Sequence, residues 1–422
     1  MRTPLVALVA LAVAGLTAPV ALAPDAASAA PEILRIAGQI AVESPEGEAL
    51  QAELDVYAMD RDVTIVYEEF ENLDETITGP NPPDLMIVPQ PGNLVANAPE
   101  LIDLTQYVKS DKLRRDYSDY LIDQVTVDGA VVGVPVKGAL KSLVWYRPAE
   151  FAASGYQVPE TFAELIALSD AMVANGQTPW CAYMGSGQAT GWMGTDWVED
   201  LLLTAEGPDV YDQWVAHDVL FVDPRIEAAF ERFQQMMDTP GYVFDRGNLL
   251  NENFWNNSFP LGFGDCFMHK QASFFAAAIQ GAAFDLDEFA TFEFPPVDPA
   301  YADAAMGGGD YVAAITDSLE VRQLVRFMAS PRFGGNAIAD SETGWILPNT
   351  RFNSARYGDD MTRSFGQTVQ AALAVDQFRF DGSDLMPPEV GANSFWAGIR
   401  DLMSGARNVQ QVLTDIDSSW PA

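Results

Sequence analysis

Residues 32–70 read EILRIAGQIAVESPEGEALQAELDVYAMDRDVTIVYEEF. The two ends of this stretch, EILRIAGQI (32–40) and DVTIVYEEF (62–70), are short runs of β-branched and apolar residues, while the middle, PEGEALQAELDVYAMD (45–60), has helical patterning. Strand, helix and strand in that order make a βαβ unit. DLMIVPQ (84–90) supplies a third strand, and it and the first are close to continuously apolar, as a parallel sheet covered on both faces requires. The alternation returns further along. TFAELIALSDAMVANG (161–176) carries a capping box, Thr161 with Glu164, then an apolar stripe, and stops at Asn175 and Gly176. DSLEVRQLVRFMASP (317–331) repeats the device with Asp317 and Glu320 and ends before Pro331.

Two segments between these units have the character of connections. VDGAVVGVPVKGALKSLVWYRP (127–148) begins with a hairpin signal, Asp128 and Gly129, and continues as a long extended run able to pass from one domain to another. MGGGDYVAAI (306–315) reads as a second crossing, because three successive glycines allow backbone conformations closed to other residues. At 422 residues the chain exceeds what one core organises, so two interleaved lobes with a cleft between them are expected. The expected division is residues 30–138 with about 309–340 in the first lobe and 139–308 with about 341–422 in the second.

The chain opens with a basic residue, an apolar run and then small residues, the layout of a secretory signal over residues 1–29, with cleavage expected after Ala29. A hydrophobic content of 48% is that of a globular protein, and the net charge of −37 argues against nucleic acid, whose phosphates need lysine and arginine. Two cysteines, Cys181 and Cys266, in an exported chain read as one disulfide or as two buried thiols, with the oxidising compartment favouring the bridge.

Motifs for catalysis, metal and cofactor binding are scarce. His217 and His269 lie far apart in sequence, and HExxH, GxSxG and phosphate-loop patterns are missing. A glycosidase pair drawn from the many carboxylates stays open as an alternative, although nothing marks out two of them. The aromatic residues say more. PWCAYMGSGQATGWMGTDWVED (179–200) sets Trp180, Trp192 and Trp197 among glycines and small polar groups, and Trp345 and Trp396 follow later. An indole offers a flat apolar face with one donor at its edge, complementary to a pyranose with C–H groups on its faces and hydroxyls around its rim. Trp145, Trp214 and Trp420 are assigned to packing.

Seven stretches in order resemble one family, the extracellular solute-binding proteins of sugar ABC importers, of the α-glucoside-binding type related to maltose-binding proteins. They are PPDLMIVPQPGNL, VDGAVVGVPVKGALKSLVWYRP, TPWCAYMGSGQATGWMGTDWVEDLLL, DCFMHKQASFF, ETGWILPN, FDGSDLMPPEVGANSFWAGI and IDSSWP. The resemblance implies an α/β periplasmic-binding-protein fold, with each lobe a largely parallel sheet flanked by helices and a multi-strand hinge between them. It also implies a monomer that needs no cofactor, closes on an oligosaccharide and docks on membrane permease subunits. It places Trp396 in a ring-stacking element, Gln90 in the loop after the third strand, and Trp192, Asp196 and Trp197 on the second lobe's side of the cleft. Asp310 is expected to accept sugar hydroxyls and Phe274 to stack, with Lys137, His269 and Trp345 as further cleft candidates. Relatives tethered by lipid carry a cysteine directly after the signal. This chain has none before Cys181, so an exported protein, free in a periplasm, held by an uncleaved signal or released outside the cell, is expected.

The reading is a noncatalytic carrier. Its rivals are a secreted glycoside hydrolase and a receptor of the same fold for a polyamine or peptide.

Overall fold

The computed structural model describes residues 32–59, 61, 63–70 and 72–421. The expected signal over residues 1–29 lies outside them. Thirteen strands run in chain order among the described residues: β1 (Glu32–Gly38), β2 (Val63–Glu69), β3 (Leu85–Val88), β4 (Thr126–Val127), β5 (Ala130–Val131), β6 (Val134–Pro135), β7 (Ala139–Leu140), β8 (Leu143–Tyr146), β9 (Met268–Lys270), β10 (Ala290–Glu293), β11 (Ala305–Gly308), β12 (Tyr311–Ala314) and β13 (Phe378–Phe380).

The βαβ unit forms as its sequence dictates: β1, the helix Pro45–Met59, then β2 parallel to β1, with β3 parallel on β1's other side. The first sheet has the order β2-β1-β3-β12-β6, and β12 enters it antiparallel to both neighbours. The other half of the molecule departs from the expected parallel sheet. There β10-β8-β9 is wholly antiparallel, and in β13-β11-β7 only β11 and β13 run parallel. Its strands are two to four residues long and are joined by helical excursions that return them in either direction. Two hydrophobic cores result. One is built on Leu34, Ile36, Ile87, Val312 and Leu324, the other on Trp180, Trp197, Leu201, Trp214 and Phe230.

The two anticipated crossings lie side by side. β6 and β12 pair in the first sheet, and a few residues on β7 and β11 pair in the next, so residues 134–140 and 305–314 pass between the halves as antiparallel neighbours. Gly138 bridges to Ile346, bringing a third chain segment to the crossing. Of the three glycines only Gly309 has a left-handed φ, +152°; a Cβ there would stand 2.0 Å from the Lys137 carbonyl oxygen. The missing side chain lets the Asp310 N–H reach that same carbonyl at 3.0 Å.

The caps differ in detail from the sequence reading. Thr161 caps the helix Phe162–Ala174, but the Glu164 carboxylate accepts from the Glu160 N–H rather than from that of Thr161. Ser318, not Asp317, caps the helix Leu319–Met328, because Asp317 is held by Tyr107 and Arg322. Asp128 (φ 50°) and Gly129 (φ 86°) turn the β4-β5 hairpin as expected. Cys181 and Cys266 are joined as a disulfide, with their Cα atoms 5.5 Å apart.

Candidate functional site

Between the halves lies a cleft of about 1040 Å³. One wall comes from the loops that leave the carboxyl ends of β1 and β3, at Gln39–Ala41 and Pro89–Gln90, the end of an open parallel sheet at which ligands gather. Segments 186–192, 253–255, 274 and 381–400 form the opposite wall, and Lys137, Ala139, Lys141, Gly309 and Asp310 of the crossing strands form the base.

Aromatic rings line the opposite wall continuously. Trp192 meets Phe254 edge to face at 5.1 Å and Phe274 at 6.2 Å, and Trp255 lies 4.7 Å from Phe254 and 5.9 Å from Phe274. Trp396 joins them because Gly191, at φ 120°, lets two helix starts come together. A Cβ at Gly191 would lie 2.3 Å from the Trp396 carbonyl oxygen. The turn before Trp396, Val390–Phe395, is a π-helix, a widening frequent at functional positions. The Trp396 indole N–H is buried and finds no acceptor among the described residues.

The base is charged, and each of its lysines faces more than one carboxyl group. Lys137 Nζ is 2.8 Å from the Glu46 carboxylate and 3.7 Å from that of Asp310. Burial pulls the Lys137 ammonium down, yet the two carboxylates together hold it above its ordinary value, while burial outweighs Lys137 and raises both acids. Four residues on, Lys141 contacts the Asp381 carboxylate, lies 3.1 Å from Asp196 and 4.0 Å from Asp384, and sits 5.4 Å over the Trp192 ring. Burial would raise Asp381, but the Lys141 ammonium, together with hydrogen bonds, leaves it below the usual carboxylate range. Asp196 is pushed up to about 7, chiefly by burial, with Lys141 opposing.

Of the ten candidates named from sequence, Trp396, Trp192, Gln90, Asp310, Phe274 and Lys137 line the cleft. Four do not. Trp197 is 1% exposed and packs edge to face on Trp180 in the second core. Trp345, also 1% exposed, donates its indole N–H to the Val136 carbonyl, with Lys137 Nζ 5.1 Å over its ring. His269 is buried under Phe275, its Nδ1 2.8 Å from the Cys181 carbonyl, and burial lowers it to about 3, so the ring is neutral near pH 7. Asp196 stands behind the wall as a partner of Lys141, inside the helix Trp192–Glu206 rather than at its cap. Sequence reasoning missed Phe254, Trp255, Lys141, Asp381, Asp384 and Asn93. The aromatic pair in NENFWNN was findable, since it repeats the combination of rings and small polar groups singled out elsewhere.

Two α/β lobes, adjacent crossing strands and a deep interlobe cleft with aromatic and polar walls define a solute receptor of the two-lobed kind. The chain belongs to the bacterial extracellular solute-binding proteins, whose family model matches residues 41–333. Among curated relatives it is 37% identical over 369 residues to the osmoprotective compounds-binding protein GgtB of Synechocystis sp., covering 85% of this chain and 86% of that one. It is 30% identical over 396 residues to the alpha-glucosides-binding periplasmic protein AglE of Rhizobium meliloti, covering 89% and 84%. Among solved structures, the solute receptor AcbH superposes with a TM-score of 0.78 at 16% identity, covering 92% of this chain and 98% of that one. Maltose-bound MalE3 of T. maritima gives 0.67 at 15%, covering 92% and 98%.

Proposed function

We propose that this chain is the solute receptor of an ABC importer, a monomer outside the cytoplasm that captures a neutral α-glucoside or related oligosaccharide and delivers it to membrane permease subunits. One observation carries the reading: five aromatic side chains line one wall of the cleft, and the lysines at its base already have carboxylate partners. Such a surface offers faces to C–H groups and hydrogen-bonding edges to hydroxyls. The curated relatives, named for alpha-glucosides and for osmoprotective compounds, point the same way. In this reading the first lobe comprises 30–138 with about 309–340. Residues near 350 also pack on it, since the Thr350 N–H donates to the Asp116 carbonyl. The remainder forms the second lobe. In this reading the solute is carried unchanged; of the carboxyl groups that line the cleft, Glu46, Asp310 and Asp381 are committed to lysines, which leaves Asp384 without an uncommitted carboxylate as its nucleophile partner.

The test is titration calorimetry against maltose, sucrose, trehalose, larger glucosides and small neutral osmolytes, alongside a chromogenic glucoside for turnover. A cognate solute is expected near ~1 μM, roughly −8 kcal/mol. Trp396→Ala is expected to weaken it by about 2 kcal/mol, roughly thirtyfold. Unchanged affinity in that variant would overturn the assignment of Trp396, and turnover would overturn the carrier.

A further inference from the structure

Lys141 is shared by more carboxyl groups than it can neutralise. Asp196, Asp381 and Asp384 surround its ammonium. Glu199, 0% exposed, lies one turn along the helix from Asp196 and accepts from the Gly382 N–H at 2.7 Å, the Ser383 N–H at 3.1 Å and the Tyr211 hydroxyl at 2.9 Å. The next cation, Lys270 on β9, is taken by Asp200 at 2.7 Å and by the Asp196 carbonyl at 3.1 Å. Five buried carboxyl groups therefore face two lysines. If all were ionised, three negative charges would stand uncompensated in the interior, each costing several kcal/mol. Retaining a proton costs only about 1.4 kcal/mol per pH unit.

The members are not equivalent. Asp381 accepts from Lys141, from the Ser383 hydroxyl at 2.7 Å and from the Asp384 N–H at 2.9 Å, an environment suited to an anion. Asp384 is 7% exposed, lines the cleft and has Lys141 only at 4.0 Å, with the Gln90 side chain as its hydrogen-bonding neighbour from the facing wall.

We propose that the cluster keeps protons at neutral pH and that Asp384 meets the bound solute as an uncharged carboxylic acid, donating its O–H to a ligand oxygen. The second half of this statement rests on the cleft being the solute site. Burial, with the Asp381 and Asp196 charges added, pushes Asp384 well up against Lys141 and the Gln90 hydrogen bond, which favour the anion, and burial also raises Glu199. A solute that covers Asp384 and accepts its proton favours the protonated form, so the bound state holds more protons than the free one. Affinity is thus full where Asp384 is protonated in the open cleft and falls as pH rises through its open-cleft value, by up to about tenfold per pH unit for one proton. An ammonium at this position has to displace the proton, so a neutral polyol fits and a polyamine does not.

Two measurements on the full chain separate the parts. Infrared spectroscopy of the ligand-free protein in heavy water at neutral pH should show the carbonyl stretch of a protonated carboxylic acid, with a component lost in Asp384→Asn. Asp384→Ser serves if the amide variant does not fold. A spectrum unchanged by both substitutions means that Asp384 is ionised and overturns the proposal. Calorimetry with the cognate disaccharide should then show a binding heat that depends on the buffer's ionisation heat, and an affinity that declines with rising pH in the wild type but not in the variants. The same pH slope in all three proteins overturns the donor role. The infrared component stands or falls independently of whether any sugar binds, so failure of the carrier reading is distinguishable from failure of the charge assignment.

Discussion

Removing the Cys181–Cys266 bridge should cost this protein a large share of its stability while leaving its cleft intact. The bridge closes a loop of sequence separation 85, and both cysteines are 1% exposed in the first core, where Leu261 and Phe275 also lie. In the chain-entropy relation a loop of that length restricts the unfolded ensemble by about 15 cal/mol/K, or about 4.6 kcal/mol at 25 °C. Replacing both cysteines by alanine also deletes two buried sulfur atoms, adding about 1 kcal/mol of lost packing. A total of about 5.6 kcal/mol is comparable to the whole stability of a weakly stable domain. Urea unfolding followed by far-UV circular dichroism and by tryptophan fluorescence reads this directly, because Trp180 adjoins Cys181 and packs on Trp197 at 5.0 Å. Both signals should shift to lower midpoint with a steeper slope, because the unfolded chain is less compact without the bridge. Neither cysteine lines the cleft, so the folded fraction should keep its solute affinity. A midpoint change worth under about 1 kcal/mol would refute the loop-closure reasoning. Loss of affinity at full folding would show that the bridge shapes the cleft.

Two further outcomes follow from the hinge and its surroundings. Gly309→Ala should destabilise by roughly 3 kcal/mol, since it combines a left-handed φ with a backbone clash that no rotamer relieves. Gly129→Ala, also left-handed but with open space around its Cβ, should cost only about 1 kcal/mol, and equal melting losses for the two would refute the argument from close approach. Asp196→Asn tests the buried acid. Its carboxyl rises from 3.8 to about 7 on folding, so the protonated acid's contribution is full below pH 4 and is lost as pH rises toward 7. The stability difference between wild type and variant should therefore shrink across that window by up to about 4 kcal/mol. A difference independent of pH would mean that Asp196 is ionised throughout.

The first sheet was readable because its strands and helix carry their periods in the residues themselves, and the crossings were readable because glycine and an extended run are local signals. The direction of the second half's short strands was not, since pairing there is decided by long helical excursions between them. The tryptophan-rich segment shows the limit most clearly. Trp192 and Trp197 lie five residues apart on one helix, roughly 140° around its axis. Residues Met193–Thr204 are all buried, so the helix sends the first indole to the cleft and the second into the core. Composition marked both rings alike, and only the helix phase separates them. Trp345 and His269 are of the same kind, the Trp345 indole N–H and His269 Nδ1 each meeting a backbone carbonyl rather than a ligand. Lys141, Asp381 and Asp384 gave no sequence signal, because a lysine becomes interesting only when carboxylates distant in the chain converge on it.

Lys137 and Lys141 sit four residues apart on the strand that passes between the lobes, and each keeps its carboxylates close at hand. Because Glu46 lies on the first lobe's opening helix and Asp196 and Asp381 lie in the other half, each lysine is tied to one side of the pivot, and the lobes can part without separating either ion pair. On the proposed function, the balance between gaping and shut forms then falls to contacts across the gap, to which the cargo contributes.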